Sequence, residues 1–283
     1  MSGTVAVSIL IPAWDEEAGI GAVVADALAA CATAGLDAEC LVCVDTRTVD
    51  ATAAAARTAG ARILRQEGRG LTAAVLQAAE AAGGRVCVVL DGDGQHDASA
   101  VVRLAGPVVA GEVDVMTGAR DPDSLRGGFG GGRQGALRHG GARLLGRLAR
   151  LVLRRDVPDP LTGMFACRRA DLLGLRGRAG LAPPGGYKAL LGLLVLVPVD
   201  RVGHQPVEFG PRRGGGSKLG ARVVAITLAQ LLGVLWYHHS ARARAGIGRR
   251  DLVAVPLRSK LPLVRQDPDR FARRVRGEGE GPC

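Results

Sequence analysis

Two carboxylates one residue apart, Asp91 and Asp93, stand in the run Asp91-Gly92-Asp93-Gly94-Gln95-His96, directly after an apolar segment. On a turn opened by glycine such a pair converges on one hard divalent cation. Mg2+ or Mn2+ favours carboxylates completed by the phosphate oxygens of a substrate. The plainer alternative is a polar turn that caps the next helix, a part open to Asp97 or Ser99. Trp14 beside Asp15, Glu16 and Glu17 offers a planar aromatic next to acids, suited to stacking on a base and bonding its edge or the ribose. A turn followed by helix N-terminal acids is the competing reading. Asp45 and Asp50 extend the same series, Asp50 equally well as an N-cap. Arg65-Gln66-Glu67-Gly68-Arg69-Gly70-Leu71 places a basic, Gly-rich turn before a helix, suited either to a phosphate or to a plain surface turn.

The elements that must hold these residues follow from hydrophobic patterning. Strand-like apolar runs occupy 5–12, 39–45, 61–64, 85–91 and 113–119, with Ala-rich helical stretches near 17–34, 50–59, 70–82 and 98–110. Near-continuous apolar strands separated by helices predict an α/β fold with a mostly parallel sheet covered on both faces. Such sheets bind ligands at the carboxyl ends of their strands, where Asp45 and Asp91 fall. A Gly-rich loop (127–132), an Arg-studded helix around 136–154, the segment Asp159–Arg169, an apolar helix near 187–196 and a loop over Arg212–Gly216 come next. Val223–Tyr237 reads as a final apolar helix. Past Ser240 the chain has no clear amphipathic period and reads as a basic, weakly ordered tail. The expected organisation is one domain over 1–240, in halves 1–120 and 121–240, with the tail at 241–283.

Charge is polarised along the chain. Of the net +10, residues 1–125 carry −9, residues 126–200 carry +9 and residues 201–283 carry +10. An acidic front and a basic back do not fit a nucleic-acid binder, which is basic throughout. The six cysteines form no zinc-like spacing with histidine. Cys40 and Cys43 formally match CxxC, but a strand sends them to opposite faces, which favours core thiols in a reducing compartment. No secretory leader opens the sequence, and its longest apolar stretches fall short of the ~20 residues of a spanning helix. These features point to the cytoplasm, with contact at most on the inner face of the membrane. Dinucleotide and P-loop glycine patterns are absent.

Four blocks, IPAWDEE, VDTRTVDAT, RQEGRGLTAA and LDGDGQHD, occur in an order and spacing that resembles the nucleotide-sugar half of a family-2 glycosyltransferase of GT-A fold. The run Asp159-Pro160-Leu161-Thr162-Gly163-Met164-Phe165-Ala166-Cys167-Arg168-Arg169 is similar to the "DPxSGFFAxRR" segment of dolichol- and polyprenol-phosphate mannosyltransferases. Residues 186–191 (GYKALL) and 207–219 (VEFGPRRGGGSKL) resemble later blocks of that family. The likeness spans about residues 5–237, and several motifs in order are more specific than any one.

The resemblance implies a GDP-mannose donor, a polyprenyl phosphate acceptor and a Mg2+ or Mn2+ cofactor. Pro12, Trp14, Glu16, Asp45, Arg69 and Asp91 would bind the nucleotide sugar. Asp91, Asp93 and Gln95 would form the metal region, and Asp93, Arg120, Arg138, Arg212 and Lys218 the catalytic set. Departures from the family pattern stand at Thr46, Arg47-Thr48, Trp14, Asp15, Gly192 and Gly216. A lipid phosphomonoester, with a second pKa of about 6, is mostly dianionic at neutral pH and is its own nucleophile, so an inverting transfer needs no dedicated base. Val223–Tyr237, with its basic flank, fits either an in-plane membrane contact or a core helix. Two rival functions share the same motifs: transfer from another nucleotide sugar, such as UDP-glucose, to a soluble acceptor, and a catalytically silent nucleotide-sugar-binding protein.

Overall fold

A computed structural model describes residues 5–120, 144–153, 157–176, 188–208, 210 and 221–244. Seven strands form one sheet: β1 (Val7–Ala13), β2 (Ala38–Val44), β3 (Arg62–Arg65), β4 (Val86–Val89), β5 (Val115–Arg120), β6 (Phe165–Arg168) and β7 (Val202–Val207). The helices are α1 (Glu17–Thr33), α2 (Thr52–Thr58), α3 (Leu71–Ala81), α4 (Ala100–Val109), α5 (144–153), α6 (Arg169–Leu173), α7 (Ala189–Leu196) and α8 (Ala221–Arg244).

The strand order is β3-β2-β1-β4-β6-β5-β7. β1 pairs in parallel with β2 and β4, β2 with β3, and β5 with β7, whereas β6 lies antiparallel between β4 and β5. Six strands therefore share one direction and only β6 is reversed, as a mostly parallel sheet requires.

The pleat sorts side chains into two cores. Along β1, Val7, Ile9 and Ile11 face the layer of α1, α2 and α4, where they meet Ile20, Val23, Ala56 and Leu104. Leu10 faces the other layer with Val75, Ala149, Leu172, Leu190 and Leu231 from α3, α5, α6, α7 and α8. Burying each large aliphatic side chain contributes about 1.5–3 kcal/mol. Cys40 joins the first core and Cys43 the second, so the CxxC pair is split across the sheet as the strand geometry dictates. Burial pushes both thiols up to about 12.

β6 and β7 had no counterpart among the sequence-derived strands. α8 extends to Arg244, four residues past the expected edge of the tail. Among the described residues no helix is long and apolar enough to cross a membrane. The Gly-rich loop 127–132, the basic loop 212–216 and the rest of the tail lie outside the described residues.

Candidate active site

Because six strands run the same way, their carboxyl ends deliver most of the polar motifs to one edge of the sheet. Trp14–Glu17 follow β1, Asp45–Asp50 follow β2, Gln66–Gly70 follow β3 and Asp91–His96 follow β4. Arg120 closes β5, and Glu208 and Gly210 follow β7. The reversal of β6 brings the segment that precedes it, Asp159–Met164, to the same edge.

The β1–β2 corner is closed by side chains from both loops. The Asp45 amide donates to the Ala13 carbonyl at 2.9 Å. Its carboxylate accepts from the Arg47 backbone N–H at 2.9 Å, from Nε at 2.8 Å and from Nη2 at 2.7 Å. The Arg47 guanidinium lies 4.0 Å above the Trp14 ring centroid, a cation–π contact. Asp15 adopts a left-handed backbone (φ +48°), and its Oδ1 accepts from the Val49 amide at 2.9 Å. The Glu16 amide donates to Thr52 Oγ1 at 2.8 Å and the Glu17 amide to Asp50 Oδ2 at 3.1 Å. Asp50 also accepts from the Thr52 amide at 3.0 Å. It thereby ties the first turns of α1 and α2 together from the position before Ala51, which is the N-cap of α2 in place of the expected Asp50.

At the end of β4, Asp91 packs against Gly163. A Cβ on Gly163 would stand 2.3 and 2.4 Å from the two Asp91 carboxylate oxygens, so only glycine permits this approach. Gly92 is similarly confined, with Ile20 and Ile11 methyl groups 3.1 and 3.2 Å from an added Cβ. Asp93 Oδ1 accepts from the Gln95 amide at 3.0 Å, and Gly94 takes φ +69°, which together shape the turn. The start of α4 is served instead by Asp97, which accepts from the Ser99 amide and hydroxyl at 3.0 and 2.7 Å and from Arg103 at 3.3 Å. Burial pushes the Asp97 carboxyl up, but the Ser99 and Arg103 contacts outweigh it and hold the group below its ordinary value. Helix capping therefore does not account for Asp91 or Asp93.

Gln95 joins this turn to the chain beyond β7. Its carbonyl accepts from the Gly210 amide at 2.7 Å, and its side-chain Nε2 donates to the Gly210 carbonyl at 3.2 Å. Gly210 is where the basic segment carrying Arg212 and Lys218 begins. The turn before α3 is built by two glutamines. Gln66 Nε2 donates to the Gly70 carbonyl at 2.9 Å, and Gln77 accepts from the Glu67 amide at 2.9 Å. Arg69 is exposed on this turn.

The structure thus collects Pro12, Trp14, Glu16, Asp45, Arg69, Asp91, Asp93 and Gln95 at one sheet edge, with the Arg120 backbone at the end of β5. Arg138, Arg212 and Lys218 lie outside the described residues. Gly192 is an interior position of α7, facing Leu175 at 3.4 Å from an added Cβ. Arg47, noted in the sequence only as a departure, turns out to cover both Asp45 and Trp14. His96 is buried, and its Nε2 lies 3.6 Å from Asp91 Oδ2. An acid two residues before Arg47 was the available signal for the first. For His96 the turn itself hides the signal, since its reach back to Asp91 depends on the fold of Gly92–Gln95.

The donor set suits a hard cation. Asp91 and Asp93 carry carboxylates at a strand end that could hold such an ion, and a Cβ at position 163 would crowd the Asp91 carboxylate. Among the described residues no three His, Cys, Asp or Glu side chains form an all-protein cage.

Residues 8–174 match the family model for glycosyl transferase family 2. The chain belongs to that family. Within glycosyl transferase family 2, it is 32% identical over 168 residues to the dolichol-phosphate mannosyltransferase of Pyrococcus furiosus, a match covering 57% of this chain and 44% of that protein. The chain thus spans less than half the length of this curated relative. Solved structures that share its GT-A fold include two sugar-transferring synthases. One is glucosyl-3-phosphoglycerate synthase from Mycobacterium tuberculosis in complex with Mn2+, uridine-diphosphate-glucose and phosphoglyceric acid (TM-score 0.59, 24% identity, 87% of this chain and 81% of that one). The other is mannosyl-3-phosphoglycerate synthase from Rubrobacter xylanophilus (TM-score 0.59, 18% identity, 87% and 77%).

Proposed function

We propose that this chain transfers mannose from GDP-mannose to a polyprenyl phosphate by inverting displacement. The observation that carries the reading is the Gln95–Gly210 pairing, which fastens the acidic turn of β4 to the root of the Arg212–Lys218 segment. In this reading the acids of the turn serve a cation, and the basic residues that follow Gly210 in the sequence serve the phosphates. The likeness to a dolichol-phosphate mannosyltransferase supports the lipid acceptor.

The acceptor phosphate, dianionic at neutral pH, attacks the sugar carbon directly, and the chain supplies positioning and charge. Asp91 and Asp93, with Gln95 beside them, would hold Mg2+ or Mn2+, which supplies charge neutralisation at the departing diphosphate. Arg120, Arg138, Arg212 and Lys218 gather the donor and acceptor phosphates. Trp14, Pro12, Glu16 and Asp45 form the nucleoside corner, and Arg69 lies on the neighbouring turn.

Peripheral contact with a lipid surface completes the reading. α8 exposes Val224, Leu228, Leu232, Leu235 and Trp236, spaced to share one face, with Leu232 66% and Trp236 59% exposed. α5 exposes Leu144, Leu148 and Leu151 at helical spacing beside Arg147 and Arg150. An apolar face flanked by arginines suits an in-plane seat on an anionic bilayer.

Purified protein with Mn2+ is expected to form mannosyl lipid from GDP-mannose and polyprenyl phosphate, and Asp93→Asn to abolish transfer. Full activity in Asp93→Asn would remove the metal assignment. A second reading, a soluble phosphorylated acceptor, draws on the fold shared with the phosphoglycerate-using synthases. Crossing GDP-mannose and UDP-glucose with polyprenyl phosphate and phosphoglyceric acid separates the two.

A further inference from the structure

We propose that Arg47 is the surface on which the nucleobase lies, so that the site selects purine over pyrimidine nucleotides. The inference rests on the nucleotide-sugar reading above and adds the residue that sets base choice.

A guanidinium is planar and stacks on aromatic rings through either face. One face of Arg47 rests on Trp14 at 4.0 Å, while 53% of the side chain remains exposed. Its orientation is fixed by Asp45, itself 13% exposed, through the paired contacts at 2.8 and 2.7 Å. The corner therefore ends in a flat, oriented cation where the sequence alone suggested a bare indole. Both Asp45 carboxylate oxygens accept from Arg47, so a base N–H arriving there meets an acid already engaged. Readout of the base by this carboxylate is weakened, and recognition falls to stacking on the Trp14–Arg47 pair. Stacking grows with ring area, which favours a purine. Lysine cannot substitute, because an ammonium has no plane to stack.

Titration calorimetry with Mn2+ and the bare nucleotides GDP, ADP and UDP tests this without requiring transfer. Wild-type protein is expected to bind both purine nucleotides about tenfold more tightly than UDP. Arg47→Ala is expected to lose about tenfold in GDP affinity and to level the three nucleotides, with no rescue by Arg47→Lys. Asp45→Asn, which frees the guanidinium from its alignment, is expected to reproduce part of that loss. Circular dichroism melting of Arg47→Lys separates a binding defect from a folding one. UDP bound as tightly as GDP by the wild type, or unchanged or tighter GDP binding in Arg47→Ala, would overturn the assignment. Nucleotide binding that persists without dependence on Arg47 sinks this inference alone. A wild-type protein that binds none of the three sinks the nucleotide-sugar reading with it.

Discussion

The Asp91 carboxylate lies directly against the Cα of Gly163, so close that a methyl group there would stand 2.3 Å from one of its oxygens. Two motifs some seventy positions apart in sequence are thereby interlocked, and the place of the acid depends on the absence of a side chain on its neighbour. Gly163→Ala is expected to push Asp91 aside and lower transfer about a hundredfold, since a shift of an ångström at a reacting centre has that effect. Activity within twofold of wild type would mean that the Asp91 position does not matter.

Gln95→Glu keeps a side-chain oxygen beside Asp93 but loses the N–H that donates to the Gly210 carbonyl. The expected result is a raised KM for the acceptor with little change in KM for the donor. Steady-state kinetics with each substrate varied in turn checks it. Equal effects on both would argue against a role of this contact in seating the basic segment.

Asp114 organises the far end of β5 and β7. It accepts from the Arg201 amide at 2.9 Å, the Asp200 amide at 3.2 Å and Arg201 Nη2 at 3.0 Å, with Arg168 at 3.3 Å. Burial pushes its carboxyl up, but the Arg201 and Asp200 hydrogen bonds and the Arg201 charge overcome this, and it titrates below its ordinary value. The unfolded chain therefore binds a proton first as pH falls, and the stabilisation present at neutral pH drains away below about pH 4. Asp114→Ala is expected to cost about 1–2 kcal/mol at pH 7, by removing the acceptor shared by the part-buried Asp200 and Arg201 hydrogen bonds, and to flatten that acid limb. Urea unfolding from pH 3 to 7 measures both.

Cys31, Cys40, Cys43, Cys87 and Cys167 are all buried, and burial pushes their thiols up, to about 11 for Cys31 and about 12 for Cys40, Cys43 and Cys87. None of these five is expected to react with a thiol reagent in native protein at pH 8, and all five should react in denaturant. Mass spectrometry of the labelled peptides identifies any exception.

The exposed stripe on α8 predicts binding to anionic vesicles. Leu232→Glu combined with Trp236→Glu is expected to abolish cosedimentation with phosphatidylglycerol vesicles while GDP affinity stays unchanged. Undiminished cosedimentation would place the lipid contact elsewhere.

The first five strands were legible because a parallel strand covered on both faces must be apolar at nearly every position, as Ile9, Leu10 and Ile11 are. β6 spans only Phe165–Arg168 and has too few residues to show a period. β7 carries His204, Gln205 and Pro206 and sits at the sheet edge, where polar residues and a missing N–H are tolerated. The acidic turn Asp91–Gln95 was readable as chemistry because its spacing is local. The Trp14–Arg47–Asp45 stack was not, because it exists only once β1 and β2 pair with Ala13 opposite Val44.

β6 lies between β4 and β5 in the sheet but follows both in the chain. The strand that joins β4 to β5 is therefore supplied by residues 165–168, more than forty positions after β5 ends. Among the described residues β5 pairs with β6 and β7 and with no strand of the first 120 residues, so a fragment ending at residue 120 would leave β5 without a strand partner. A chain cut after residue 120 would carry β4 as an open edge and invite intermolecular strand pairing.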